Sequence, residues 1–251
     1  MRLNVYLQKA GVGSRREAER LVADERVTIN GRVATATTPV GDKDLIEVDG
    51  KKVTPKHKPL PRLFRLYKPL DYLVTNYDPQ GRPTIYDLPV LNPPIWPDDM
   101  PRIMSVGRLD VNSEGLLLLS SDGPLAQALM SPETGMERVY RIRVHGRLTE
   151  KQIEKIERGV TANGVQYRGA QIRMEKQPSG RNTWYQITLT EGKNREVRKM
   201  MEHFGCVVNR LIRIQYGPYK LKPITRGGIH EVPRHQVEKL VKRLRKQGYD
   251  L

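Results

Sequence analysis

The alternation of apolar and polar residues divides the N-terminal part of the chain into two helices and a small hairpin sheet. Apolar residues recur at the spacing of one helix face at Leu3, Tyr6, Leu7 and Ala10. Ser14 is a favourable N-cap for a second helix, because Glu17 three residues later completes a capping box. Short strands follow this helix, and the Asn30-Gly31 pair between them predicts a tight hairpin turn.

The rest of the chain mixes strand patterns with intermittent helical patterns. Four consecutive leucines, from 116 to 119, predict a buried strand. Other strand-like runs cover 63–67, 139–144, 183–189 and 207–214, and helical patterns cover 125–130, 150–158 and 195–204. Because the two types do not alternate regularly, the pattern predicts an α+β fold and not a βαβ fold.

Shifts in composition predict four parts: a first domain over 1–50, a basic, proline-bearing linker over 51–61, a second domain over 62–233 and a basic C-terminal helix over 234–251. A proline-rich stretch over 71–101 lies inside the second domain, and loops of that length are usually functional or disordered. The basic faces of the C-terminal helix fit either phosphate contact or simple solvation.

The charge of the chain favours a polyanionic partner. Its 251 residues carry a formal net charge of +16. Such a balance favours nucleic acid or an anionic membrane surface. No apolar run is long enough to span a bilayer, and the N-terminus lacks the core of a signal peptide. We therefore expect a soluble cytoplasmic protein that does not bind membranes, with a monomer as the default.

Cysteine and histidine usage narrows the chemistry further. A single cysteine, Cys206, excludes intramolecular disulfides and argues against a zinc site. The five histidines have no metal-ligand spacing, and the chain has no glycine-rich phosphate loop. The expectation is a protein that uses neither metal nor cofactor.

The segment GRLDVNSEGLLLLSSDG, residues 107–123, is the strongest candidate for chemistry. It places Asp110 between a basic side chain, Arg108, and a turn that leads into the run of leucines. A carboxylate at the mouth of a buried strand is costly unless it is paired or used. An aspartate that merely stabilises the turn is the alternative interpretation.

Basic side chains at the start of the second helix indicate an RNA-docking surface. Arg15, Arg16 and Arg20 lie on the faces of this helix away from its apolar side. Arginines at a helix start oppose the macrodipole, so they do not serve helix stability. A solvated basic face is the alternative. In the second domain, Arg82 in the turn DPQGRPT is a further candidate for phosphate contact.

Two more segments carry candidate residues that have ordinary explanations when taken alone. ERVYRIRV places Tyr140 in a strand, where packing is the usual role of a tyrosine. LTEGKNREVRKMMEHFG, residues 189–205, has Arg195 and Arg198 in a helix, where surface charges are common.

Taken together, these segments resemble the rRNA pseudouridine synthase family, and the similarity covers nearly the whole chain. LYKPLDYLVTNYDPQGRPTIYDLP, residues 66–89, matches a family segment, and GRLDVNSEGLLLLSSDG resembles its catalytic segment. The unit over 2–50 is similar to the S-four-type RNA-binding module of that family. The variant NREVRKM is closer to members that act on large-subunit rRNA. The implied fold is an α+β core around a mixed, largely antiparallel sheet with a central cleft.

The resemblance also implies roles for individual residues. Asp110 would be the catalytic carboxylate, Tyr140 would stack on the target base, and Arg198 would pair with the aspartate. The implied reaction isomerises one uridine of 23S rRNA, or of a large-subunit precursor, without cofactor or metal. Further candidate RNA contacts in the second domain are Arg108, Lys193, Asn194 and Arg195.

Two other function classes share part of this pattern. A non-catalytic RNA-binding or ribosome-assembly protein would have the same charge and the same first domain, but it would not need Asp110, Tyr140 and Arg198 in one place. A nuclease would need a carboxylate cluster with a metal, or a pair of histidines, and neither is evident in the sequence.

Overall fold

The computed structural model describes residues 2–35, 37–41, 43–54, 60–91 and 103–251, except for the side chains of Lys9, Arg15 and residues 176–179. The chain forms two compact units, Met1–Leu60 and Pro61–Leu251. Part of the predicted linker, 55–59, and part of the proline-rich stretch, 92–101, lie outside the described residues. Apart from the start of the linker, which is corrected below, the predicted domain boundaries stay predictions.

The first unit contains two helices and a small antiparallel sheet. The capping box predicted from Ser14 and Glu17 is confirmed, because Ser14 N donates to Glu17 Oε2 at 2.6 Å and Glu17 N donates to Ser14 Oγ at 3.3 Å. The strands pair in the order β2-β1-β3-β4. The elements are α1 (Leu3–Lys9), α2 (Arg15–Ala23), β1 (Val27–Ile29), β2 (Arg32–Val33), β3 (Ile46–Val48) and β4 (Lys51–Lys52).

The predicted start of the linker at residue 51 needs a correction. Strand β4 extends the sheet of the first unit over Lys51 and Lys52, because the turn at Asp49 and Gly50 folds these residues back onto β3. The basic side chains of β4 are exposed at the edge of that sheet.

The second unit is built around a large sheet of nine strands, and β9 and β10 form a separate pair. The strands of this unit are β5 (Leu63–Lys68), β6 (Met104–Ser105), β7 (Glu114–Ser120), β8 (Arg138–His145), β9 (Val160–Ala162), β10 (Val165–Tyr167), β11 (Gln171–Ser179), β12 (Asn182–Leu189), β13 (Val207–Tyr216), β14 (Tyr219–Lys220) and β15 (Ile229–Glu231). Its α-helices are α3 (Gly123–Met130), α4 (Glu150–Arg158), α5 (Glu196–His203) and α6 (Arg234–Lys246), and short 3-10 helices cover Ile85–Asp87, Pro89–Leu91 and Pro132–Thr134.

The sheet of the second unit is mixed and largely antiparallel, as the resemblance implies. Its nine strands follow the order β11-β12-β8-β13-β7-β5-β15, with β14 paired to β13 and β6 paired to β7. The β13–β7 pair is parallel, and the other pairs of this sheet are antiparallel. At the parallel pair, Gly115 has φ +109°, and a Cβ there would lie 2.4 Å from the carbonyl oxygen of Arg213, so only glycine fits.

Helices cover both faces of the sheet around β7. Leu117 and Leu119 pack into the apolar layer that contains α4 and α5, whereas Leu116 and Leu118 pack into the layer that contains α3 and α6. The predicted buried strand is therefore confirmed, and all four leucines have no exposed surface. None of the helices in the described ranges is both long and apolar enough to cross a bilayer.

Candidate active site

A cleft of about 670 Å³ opens in the second unit beside the turn that precedes β7. Its basic lining residues outnumber its carboxyl groups by six to three. A site with this excess of positive charge suits an anionic ligand. The charged lining residues are Arg108, Asp110, Arg138, Glu191, Lys193, Arg195, Glu196, Arg198 and Arg213.

Asp110 lies in a tight turn at this cleft. Its carbonyl oxygen accepts from Ser113 N at 3.0 Å, which closes the turn, and its side chain is 35% exposed. Its Oδ2 atom lies 3.6 Å from Nη1 of Arg195. The carboxylate is therefore accessible from the cleft and has an opposite charge beside it.

The backbone of the Asp110 turn is held by two buried cations. Lys68 Nζ donates to the carbonyl of Ser113 at 2.8 Å, and Val111 O lies 3.5 Å away. Arg198 Nη2 donates to the carbonyl of Asn112 at 2.8 Å. Consecutive carbonyls of the turn thus bind fixed donors, which restricts the position of the carboxylate.

Lys68 is a residue that the sequence analysis missed. It ends strand β5, has no exposed surface and also donates to its neighbour Pro69 O at 2.8 Å. Burial lowers the pKa of its ammonium to about 8, although the nearby carboxylates of Asp71, Asp110 and Glu114 oppose this shift. A lysine at the end of an apolar strand, in LYKPLDY, is the signal that could have identified it.

The expected pairing of Arg198 with Asp110 needs a correction. The arginine within ion-pair distance of Asp110 is Arg195, whereas the Arg198 guanidinium donates to the carbonyls of Asn112 and Val208, both at 2.8 Å. The reason is the start of α5. Arg195 is its N-cap in a left-handed conformation, with φ 51°, and Arg198 lies on the buried face of the helix. Burial lowers the pKa of Arg198, and the Asp110 charge opposes this shift.

Tyr140 lines the same cleft from β8. It is 9% exposed and pairs across the sheet with Ile187 of β12 and Arg213 of β13. Its hydroxyl has no hydrogen-bond partner within the described part of the chain. Asp110, Tyr140 and Arg198 therefore line one cleft, and Arg195 joins them.

The loop between β12 and α5 is held by two carboxyl groups. Glu191 accepts from Arg168 N at 2.8 Å and pairs with Lys193 Nζ at 2.9 Å, and these bonds lower its pKa against the effect of its burial. Glu196 accepts from Lys193 N at 2.9 Å, and burial together with the neighbouring Glu191 raises its pKa to about 7. The loop that carries Arg195 is thereby anchored on both sides of its tip.

Lys193 is less available for RNA than the sequence suggests. Its ammonium donates to Gln166 O at 2.6 Å, pairs with Glu191 and lies 5.6 Å from the centre of the Tyr167 ring. Asn194 and Arg195 follow it at the exposed tip of the loop and line the cleft.

Two further buried arginines form part of the cleft lining. Arg138 and Arg213 both stack on Tyr216, with their guanidinium carbons 4.9 and 5.2 Å from its ring centre. Arg213 Nε donates to Leu116 O at 2.6 Å. Neither guanidinium has a carboxylate within 4 Å among the residues that the structure describes, so both add to the positive potential of the cleft.

The other predicted RNA contacts lie in different places. Arg108 is exposed and lines the cleft. Arg82 is not part of that lining, and its guanidinium pairs with Asp78 at 2.7 Å, which lowers the pKa of Asp78 to about 2. Arg16 and Arg20 are exposed on α2 of the first unit, and the side chain of Arg15 lies outside what the structure describes.

Comparison with known proteins identifies the families of both units. The RNA pseudouridylate synthase family matches residues 62–203, and the S4 domain family matches residues 1–46. A crystal structure of a pseudouridylate synthase superimposes with a TM-score of 0.66 over 96% of this chain and 99% of the other, at 23% identity, which supports the fold.

Curated relatives are similar over most of this chain. Ribosomal large subunit pseudouridine synthase B of Pasteurella multocida is 39% identical over 92% of the chain, and that of Pseudomonas aeruginosa is 38% identical over 94%. The match spans 66% and 61% of the length of these two relatives. An RNA pseudouridine synthase of Rickettsia felis, itself uncharacterized, is 36% identical over 95% of the chain and 99% of its own length. The chain belongs to the RNA pseudouridine synthase family, with an N-terminal S4 domain.

Proposed function

We propose that this protein converts a uridine of large-subunit rRNA into pseudouridine, with Asp110 as the catalytic carboxylate. The observation that carries the proposal is the partly exposed carboxylate of Asp110, which lies 3.6 Å from Arg195 in a cleft that Tyr140 also lines. The names of the relatives from Pasteurella multocida and Pseudomonas aeruginosa support the large subunit as the target.

The reaction breaks the bond between ribose C1′ and uracil N1 and forms a bond between C1′ and C5. The C5 proton leaves and N1 gains a proton, so that the product is an isomer of the substrate. A carboxylate can attack C1′, stabilise positive charge on the sugar, or remove a ribose proton. All three roles require an ionised and accessible carboxylate. Arg195 places an opposite charge 3.6 Å from Oδ2 of Asp110.

Access to the reacting atoms requires that the target base leaves its stack. Extrusion of a base costs a few kcal/mol, and stacking on an aromatic ring returns about 1–3 kcal/mol. Tyr140 is the aromatic side chain that we assign to this stacking, since its ring lines the cleft and its hydroxyl is not engaged. The excess of basic lining residues attracts the RNA backbone.

The cleft also favours rejoining over hydrolysis. The detached uracil must remain beside the sugar until C5 is presented to C1′. The apolar surfaces of Tyr140, Leu189 and Leu211 line the cleft, and in this proposal they displace water around the sugar while the base turns. In this proposal the loop that carries Arg195 lies over the bound nucleotide.

The test is to incubate the protein with unmodified transcripts of large- and small-subunit rRNA and to map pseudouridines at single-nucleotide resolution. We expect one modified uridine in the large-subunit transcript and none after the Asp110→Asn change. Modification of the small-subunit transcript alone would refute the assigned target. Cleavage of the chain would indicate a nuclease, and unmodified, bound RNA would indicate a binding protein.

A further inference from the structure

The face of the large sheet that points away from Tyr140 carries a second set of basic residues. Along β8, Tyr140, Ile142 and Val144 point into the apolar layer with α4 and α5. The alternate residues Arg141 and Arg143 point to the opposite face, where Arg143 is exposed. Strand alternation thus separates the cleft side from a basic outer face.

Strand register assembles these residues into one surface. Arg143 pairs with Trp184 of β12, and Arg141 pairs with Gln186, which in turn pairs with Arg173 of β11. Cross-strand partners share a face of the sheet. We call the surface formed by Arg141, Arg143, Arg173, Trp184 and Gln186 the outer platform.

The outer platform contains both paired and unpaired arginines. Arg141 pairs with Glu175 and stacks on Trp184, with its guanidinium carbon 4.4 Å from the ring centre. Arg173 donates to Gln186 Oε1 at 3.0 Å, an uncharged acceptor. In the described ranges, neither Arg143 nor Arg173 has a carboxylate within 4 Å. The two exposed guanidiniums therefore have no opposite charge beside them. Arg143 and Arg173 lie two strands apart and are offset by two residues, which separates their Cα atoms by roughly 12 Å.

Part of this face is open to solvent. The layer with α3 and α6 packs on β5, β7 and the end of β13 and includes Trp184, whereas Arg143 and Arg173 are exposed among the residues that the structure describes. An antiparallel sheet can present one polar face to water without any function. Here, however, the polar face combines unpaired guanidiniums with a partly exposed indole, which is the combination that binds single-stranded RNA.

We propose that the outer platform binds a second, single-stranded segment of the same RNA whose uridine enters the cleft. The inference rests on the proposed function for the identity of the RNA, and it adds a contact surface on the opposite face of the sheet. Arg143 and Arg173 contact phosphates, and Trp184, held by Arg141, contacts a base or ribose. A long RNA engages both faces, whereas a short hairpin with only the target uridine engages the cleft.

The first experiment compares an Arg143→Gln/Arg173→Gln variant with a Lys151→Gln/Lys155→Gln control. The control removes the same charge from exposed positions of α4. We expect the platform variant to bind a protein-free large-subunit rRNA transcript about 3- to 10-fold more weakly, with a salt-dependence slope that is smaller by about 1.4, since two phosphate contacts to a single strand are lost. Its kcat on a short hairpin stays at the wild-type value, and the control changes neither quantity.

Two further measurements test the role of charge and the contact between Trp184 and the RNA. An Arg143→Lys/Arg173→Lys variant keeps both charges and is expected to restore most of the affinity. With Trp96→Phe, Trp184 becomes the only tryptophan of the chain, and the long transcript is expected to quench its fluorescence while the short hairpin does not.

The proposal is overturned if the glutamine variant binds the protein-free transcript as tightly as the wild type, if the lysine variant is as weak as the glutamine variant, or if Trp184 emission does not respond to the transcript. In the first case, the platform does not bind this RNA. These binding measurements do not depend on catalysis, so they distinguish a failure of the platform from a failure to form pseudouridine.

Discussion

Two carboxylates four residues apart, Asp110 and Glu114, have opposite surroundings. Glu114 is 1% exposed, pairs with Arg210 at 2.8 Å and Arg226 at 3.0 Å, and accepts from Tyr67 Oη at 3.2 Å. Asp110 is 35% exposed and has a single ion pair, at 3.6 Å, within the described part of the chain.

The difference shows which of the two carboxylates is free to react. Three donors already occupy the Glu114 oxygens, so this side chain fixes the start of β7. Asp110 leaves most of its acceptor capacity open, while its backbone is held by Lys68 and Arg198. A fixed backbone with an open carboxylate is the arrangement that a nucleophile or a charge stabiliser needs.

The sharpest test of this comparison is a pair of isosteric changes. Asp110→Asn is expected to reduce pseudouridine formation by at least about 10³-fold, because the amide cannot supply the charge. The free energy of unfolding and the affinity for RNA stay nearly unchanged. Denaturant titration measures the free energy of unfolding, and filter binding measures the affinity for RNA. Substantial turnover by this variant would remove Asp110 from the mechanism.

Glu114→Gln is the matched change at the paired site. It leaves Arg210 and Arg226 beside a neutral side chain, and it is expected to lower the free energy of unfolding by roughly 1–3 kcal/mol. Activity per folded molecule should fall much less than for Asp110→Asn. The comparison fails if Glu114→Gln is as inactive as Asp110→Asn while it remains fully folded.

The support beneath Asp110 can be weakened through Lys68. Lys68→Met removes the buried donor to the carbonyls of Pro69 and Ser113. We expect a loss of roughly 2–4 kcal/mol in the free energy of unfolding. A 10- to 100-fold lower kcat should accompany it, because small displacements of a reacting group are costly. An unchanged kcat would show that the turn holds Asp110 without the lysine.

The pH dependence of stability gives an independent check on Lys68. Its pKa is about 8 in the folded protein, below the ordinary value of 10.5. Between these values the unfolded chain binds more protons, so the contribution of Lys68 is complete above pH 10.5 and is lost as the pH falls through 8. The free energy of unfolding of the wild type, minus that of Lys68→Met, should therefore rise from pH 8 to 10.5. A flat difference would contradict the lowered pKa.

The sequence predicts the surroundings of Asp110 better than those of Glu114. The local segment 107–123 singles out Asp110, and the four leucines that follow it are buried, as the sequence predicts. The partners of Glu114 cannot be read in this way, because Arg210 and Arg226 lie about 100 residues away and approach only when β13 and β15 join the sheet.

The assignment of the arginine beside Asp110 is wrong for a local reason. Helical periodicity alone does not distinguish Arg195 from Arg198, because both belong to the same predicted helix. The left-handed conformation of Arg195 turns it out of the helix and towards Asp110, and this depends on how Glu191 and Glu196 anchor the loop. The position of Lys68 at the end of an apolar strand is visible in the sequence, but its acceptors are backbone carbonyls, which no residue type marks.

The smallest expected effect concerns Glu196, a buried carboxyl group that differs from both Asp110 and Glu114. Its pKa of about 7 lies above the ordinary value of 4.5, so the folded protein binds more protons between these values, and stability is lost as the pH rises through 7. Glu196→Gln stays neutral and keeps an acceptor for Lys193 N. Between pH 4.5 and 8, the free energy of unfolding of this variant should therefore fall by roughly 1–2 kcal/mol less than that of the wild type, after allowance for solvent screening. Glu202→Gln, at an exposed position of α5, is the control and should follow the wild type. If Glu196→Gln shows the same pH dependence as Glu202→Gln, the raised pKa of Glu196 is contradicted.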